Sequence, residues 1–163
     1  MMEIRTAKEG DYNRIAEIYN VYIAEGGSTM EETPKTGQDI GAWIQKFHSR
    51  EKLYVLLEEE EVIGWGIIKR YSDREGYRFA AETAVYLDPG HLGKGYGKQM
   101  KRFLIAECKA MNYHHLVAKI FATNEVSIAY NLKLGYEIVG RQKQIGWKNG
   151  QWMDIVIMQY IIQ

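Results

Sequence analysis

The chain has a single cysteine, Cys108, so no disulfide can form within it and no cysteine cluster can hold a metal. It has no excess of either charge. Its 21 lysines and arginines balance 21 aspartates and glutamates, which argues against a nucleic-acid partner and against attraction to an anionic membrane. No apolar run approaches the roughly 20 residues of a membrane span, and the start, MMEIRTAKEGD, has neither a basic leader nor a long apolar segment. A cytoplasmic location is therefore expected. Only two prolines occur, Pro34 and Pro89, and there is no repeat, low-complexity tract or linker, so residues 1–163 are expected to form one domain. The four histidines offer no ligand set. His114 and His115 are adjacent in a strand and should point to opposite faces, while His48 and His91 stand apart. No metal is expected.

What is present is periodicity. Residues 3–6 read as a strand, and residues 11–23 as a helix with Ile15, Ala16, Tyr19, Tyr22 and Ile23 on one face. Thr36 and Asp39 make a capping box for a second helix, whose Ile40, Trp43, Ile44 and Phe47 share a face. Residues 53–57 and 62–69 read as paired strands around a solvated acidic tip. Residues 77–87 read as one long strand, whose period of two puts Arg78, Glu82 and Tyr86 on the same face. There follow a helix over 96–111, a strand over 116–121, and a helix capped by Asn124 and ended by Gly135. A strand over 136–140, a hairpin at Asn149-Gly150 and a last strand over 155–162 complete the chain.

The most informative stretch lies between the long strand and the third helix. Asp88-Pro89-Gly90 opens a turn, and Gly93, Gly95 and Gly97 follow at alternate positions. Glycines there let the backbone approach a ligand, and the first turn of the helix has amide groups with no intrahelical partner. The helix dipole adds about half a positive charge, so with Lys94 and Lys98 the expected guest is a di- or polyphosphate. The spacing is not a Walker loop, which needs a Gly-Lys-Ser/Thr end. Nor is it a dinucleotide fingerprint, because the glycines run G-x-G-x-G and the next strand carries Lys119 where an acidic residue is required.

The segment Leu92-Gly93-Lys94-Gly95-Tyr96-Gly97 resembles the acetyl-CoA signature of the GNAT acetyltransferase superfamily, [Q/R]-x-x-G-x-[G/A], with Leu92 in place of Gln or Arg. The stretch NEVSIAYNLKLGY, from Asn124 to Tyr136, is similar to the superfamily's following helix, and Ile4-Arg5-Thr6-Ala7 to its opening. The resemblance implies an α+β fold, with a mixed, mostly antiparallel sheet flanked by helices and parallel strands splayed where CoA enters. It also implies acetyl-CoA as donor and a homodimer. By it, Leu92, Gly93, Lys94, Gly95, Tyr96, Gly97, Lys98, Asn124 and Asn131 would contact the cofactor, and the backbone of Val85, Tyr86 and Leu87 would meet its pantetheine arm.

Within the superfamily, the strand around Glu82 resembles the phosphinothricin and methionine sulfone acetyltransferase branch, in which the glutamate serves as base. Arg74, Tyr77 and Arg78 precede it as in that branch, and Trp147-Lys-Asn-Gly-Gln-Trp-Met-Asp154 resembles its C-terminal motif. The resemblance assigns substrate binding to Arg74, Tyr77 and Arg78, the arginines holding a carboxylate or phosphinate. Asn131 stands where relatives carry Tyr or His, which leaves the general acid unassigned. The expected reaction is acetylation of a small amine, most readily an amino-acid analogue, by direct attack. The alternatives are a polyamine, aminoglycoside or protein amine as acceptor, or a non-catalytic acyl-CoA sensor.

Overall fold

A computed structural model describes residues 1–163. The elements are β1 (Met2–Thr6), α1 (Tyr12–Glu25), α2 (Gly37–Gln45), β2 (Lys52–Glu58), β3 (Glu61–Arg70), β4 (Ala80–Leu87), α3 (Tyr96–Ala110), β5 (His115–Phe121), α4 (Glu125–Lys133), β6 (Glu137–Lys148) and β7 (Gln151–Ile161). This is the order expected from periodicity. The strands form one sheet in the order β1-β2-β3-β4-β5-β7-β6, antiparallel throughout except for β4 beside β5.

Alternation along the strands sorts the apolar residues into two cores. Leu53, Val55 and Leu57 of β2 face α1 and α2 together with Trp65, while Tyr54 and Leu56 face α3 with Met100, Leu104 and Cys108. Helix α2 is capped as its sequence requires: the Thr36 hydroxyl accepts from the Asp39 amide and the Asp39 carboxylate accepts from the Thr36 amide. It stops at Gln45, so Phe47 packs on the core from beyond the helix. The hairpin between β6 and β7 turns at Asn149 and Gly150, both left-handed at φ 53° and 74°, the signature of a type I′ turn.

Two expectations need correction. Strand β6 runs from Glu137 to Lys148 and does not end at residue 140, with register shifts against β7 between Ile138 and Gly140 and between Gln142 and Gly146. Strand β4 starts at Ala80, not at residue 77. Before it, the Tyr77 amide donates to the Arg74 carbonyl (3.0 Å) and the Arg78 amide to that of Glu75 (3.1 Å), a 3₁₀ turn. Local bonds win there because the segment is polar, and the Ser72 hydroxyl accepts from the Arg74 amide. Arg74 and Arg78 therefore do not share a strand face with Glu82.

The inner face of α3 carries one residue that amphipathicity does not explain. Lys101 is 7 % exposed and its ammonium sits 4.9 Å from the centre of the Tyr136 ring. Burial lowers its pKa to about 8. The unfolded chain keeps this proton to the ordinary lysine range, so this group adds stability as pH rises from about 8 to about 10.5, and below pH 8 its burial penalty of about 3 kcal/mol stands in full. Lys101→Met is accordingly expected to be more stable than the parent at pH 7 in denaturant unfolding. The gap should close between pH 8 and 10.5; a gap that is independent of pH would contradict this account.

Candidate active site

The site begins where β4 and β5 part. They pair over only three positions, Ala80–His115, Ala81–Leu116 and Glu82–Val117, and then run on separately. The Tyr71 amide donates to the Ala80 carbonyl and the Asp88 amide to that of Ile63, so even-numbered residues of β4 turn their main-chain groups to β3. Odd-numbered ones face β5, as the Phe79 carbonyl does in accepting from the His114 amide (2.7 Å). Past the fork, Val85 and Leu87 thus present main-chain groups to the opening, and the Tyr22 hydroxyl takes the Leu87 carbonyl. Tyr86 does not belong with them, because its main chain is paired with Trp65 and only its ring reaches the site.

The glycine turn lies beyond the end of β4. Gly93 and Gly95 are left-handed, at φ 79° and 84°, and a Cβ on either would meet no atom within 4 Å. Glycine is needed there for conformation rather than for packing room. No main-chain carbonyl accepts from the amides of residues 93–98, which leaves a run of six donors at the positive end of α3. Lys94, Lys98 and Leu92 are exposed around this cradle. The Tyr96 hydroxyl donates to the Glu58 carboxylate, tying the start of α3 to the end of β2. The residues thus fit a phosphate-bearing ligand: donors without partners, an open approach and two cations.

Helix α4 closes the same face. The Asn124 side chain caps it by accepting from the Ser127 amide (3.2 Å). Asn131 is 2 % exposed and donates back to the Ser127 carbonyl (2.8 Å), so it stands inside the core and not in the opening. Its neighbour is Tyr130. Its hydroxyl is buried without a partner, 3.7 Å from where a Cβ on Gly97 would stand, and burial raises its pKa to about 12. It is a protonated donor at the edge of the cradle. Cys108, by contrast, lies on the buried face of α3 with its thiol pushed up to about 12 by burial, which suits a packing residue and not a nucleophile.

On the opposite face of the sheet, α1 and α2 cover the first strands and leave an open cleft of about 1420 Å³ over the rest. Its closed end is aromatic: Trp65 packs against Tyr86 and Tyr19 with ring centres 4.8 and 5.3 Å apart. Glu82 lines it at the fork, one-third exposed, with its carboxylate 3.0 Å from the Lys119 ammonium. The loop between α1 and α2 overhangs it. Lys148 fixes that loop: wholly buried, it donates to the Thr29 carbonyl (2.6 Å), while the Thr29 hydroxyl bonds that of Tyr19 (2.7 Å). Burial lowers the pKa of Lys148. Of the residues expected to hold an acceptor, Tyr77 reaches the cleft wall. Arg74 and Arg78 are exposed and do not line it, and the Arg78 guanidinium donates to the Glu75 carbonyl and lies over the Phe79 ring. Lys119 and Lys148 were missed as site residues. The one available signal for Lys119 was a lone charge in the apolar run LVAKIF.

The forked sheet thus carries an anion cradle past the end of β4 and a carboxylate in the cleft at its vertex. The model of the acetyltransferase (GNAT) domain family matches residues 4–157. The chain is 33% identical to an L-methionine sulfoximine/L-methionine sulfone acetyltransferase of Pseudomonas aeruginosa, over 96% of this chain and 92% of that protein. It is 31% identical to the L-amino acid N-acyltransferase MnaT of Escherichia coli, over 97% and 92%. Among solved structures, a GNAT superfamily phosphinothricin acetyltransferase from Sinorhizobium meliloti in complex with AcCoA superposes with a TM-score of 0.92, at 32% identity over 99% of this chain and 88% of that one. The chain belongs to the GNAT acetyltransferase family and is an acyltransferase.

The cradle assignment makes a direct expectation. Acetyl-CoA at a hundred times its dissociation constant should stabilise the fold by about 2.7 kcal/mol through mass action. Gly95→Asp, which sets a carboxylate among the six amides, should abolish that shift in a thermal melt. A variant that kept the parent's shift would remove the loop from the binding site.

Proposed function

We propose that the chain is an acetyl-CoA-dependent N-acetyltransferase that acts on a small amino-acid-like amine by direct attack, with Glu82 as general base. One observation carries the reading: the Glu82 carboxylate stands at the fork, at the last paired position of β4, facing the cleft. An α-ammonium group, with a pKa of about 7.7–8.0, is mostly protonated at neutral pH and cannot attack. In this reading Glu82, directly or through one water, takes a proton from that nitrogen. The nitrogen then forms the new C–N bond to the acetyl carbon, the C–S bond breaks with the sulfur leaving as thiolate, and the nitrogen releases its second proton to solvent or to the departed thiolate. A thiol pKa of about 8.5 lets the thiolate depart without an obligatory acid, which is compatible with Asn131 standing where a Tyr or His is common. The Val85 amide, on the edge of β4 turned to the opening, would hold the thioester carbonyl, an interaction on the order of 3 kcal/mol in comparable sites.

The amino-acid character of the acceptor is supported by the names of the Pseudomonas and Escherichia relatives and by a cleft that presents both signs of charge. Release of free thiol from acetyl-CoA, followed over a panel of amino acids and simple amines, tests the reaction. Glu82→Gln is expected to lower turnover by about 10² to 10⁴ while leaving the acetyl-CoA dissociation constant nearly unchanged, since a base and not a phosphate contact is lost. Parallel losses in turnover and in acetyl-CoA binding would make Glu82 a structural residue.

A further inference from the structure

The Glu82 carboxylate is not bare. Lys119 lies on β5 two residues beyond Val117, the last partner of β4, and so projects on the same face into the widening fork. Its ammonium is 3.0 Å from Glu82 Oε1, and both side chains are partly exposed to the cleft, 48% and 35%. Of the other lysines and arginines that line the cleft, two are paired elsewhere, and Lys46, at the end of α2, makes no ion pair with Glu82 or any other carboxylate. Lys69 pairs with Glu51 (3.3 Å) and Arg141 with Asp154 (2.7 Å). Lys119 is thus the one cation in salt-bridge contact with the proposed base.

Such a pair is easily exchanged, because an ion pair this exposed contributes at most about 1 kcal/mol. An acceptor's ammonium that takes Glu82 must displace Lys119. A plain amine would do so at the expense of a freed lysine charge beside its own, two cations against one carboxylate. An α-amino acid brings the missing anion on the neighbouring carbon: its ammonium takes Glu82 while its carboxylate takes Lys119, and no charge is left without a partner.

Building on the reading of Glu82 as the base, we infer that Lys119 is the specificity residue of the acceptor site, exchanging Glu82 for the carboxylate of an α-amino acid. It fills the place that Arg74 and Arg78, outside the cleft, do not occupy. The parent enzyme therefore prefers an amino acid to the amine left by its decarboxylation.

The test compares L-methionine sulfone with its decarboxylated amine on the parent chain, Lys119→Met and Lys119→Arg, reading acceptor binding by calorimetry and turnover by thiol release. Lys119→Met is expected to weaken the amino acid by ten- to a hundredfold, the scale of a lost charge-assisted hydrogen bond, in dissociation constant and KM alike. The amine should be unaffected or improved and the acetyl-CoA KM unchanged, while Lys119→Arg keeps most of the preference. Equal losses for both acceptors, no change for either, or no binding of either to the parent would overturn the inference. The two readouts separate it from the transferase reading. A parent that binds the acid in preference, loses that preference in Lys119→Met, yet releases no thiol keeps the role of Lys119 and refutes the transferase. A parent that turns over both acceptors, with a preference unmoved by Lys119→Met, refutes the role of Lys119 alone.

Discussion

The parting of β4 from β5 after Glu82 and Val117 is the constraint on which the rest of the molecule depends. Inside a sheet, an unpaired strand edge exposes amides and carbonyls that ordinarily demand partners. Here two things hold the edge open. The main-chain alternation of β4 is locked by its full antiparallel pairing with β3, and the Tyr22 hydroxyl occupies the Leu87 carbonyl at the far end. The exposed edge then leads directly into the glycine turn and the start of α3. One fork therefore leaves an open strand edge that runs from the carboxylate at its vertex to the free amides of the glycine turn.

The two faces of the sheet divide the work. The face under α3 and α4 is tightly filled and tolerates even a buried ammonium, Lys101, against Tyr136. The other face is filled only as far as α1 and α2 reach, and the aromatic group of Trp65, Tyr86 and Tyr19 marks the limit of that core. Beyond it the cleft is open, roofed by a loop that has little apolar content of its own. Lys148 gives that loop its place. A wholly buried lysine with a main-chain carbonyl as partner is costly unless the contact is kept, so hairpin and loop are coupled: the loop cannot leave without stranding the charge.

Much of this was legible in the sequence, because local rules and the fold agree over most of the chain. The element order, the Thr36 capping box, the type I′ hairpin and the left-handed glycines each follow from residues within a few positions of one another. The misreadings have another origin. The 3₁₀ turn before β4 formed because Ser72 and the turn's own carbonyls outcompeted a strand pairing that the alternation of residues 77–87 had suggested. That turn moved Arg74 and Arg78 out of the cleft. The Glu82–Lys119 contact arises from the register of a parallel pair joined through a whole helix, which no local pattern reports. The inward course of Asn131 likewise depends on where α4 docks, and spacing along the helix does not reveal it.

The central claim is that the fork and the cradle together receive the acyl donor. Amide hydrogen exchange with and without acetyl-CoA addresses it most directly. The account expects new protection concentrated at residues 93–98 and at Val85 and Leu87, with the cleft-facing loop between α1 and α2 little changed. Protection confined to that loop and the far strands, with the amides of residues 93–98 exchanging as before, would contradict it.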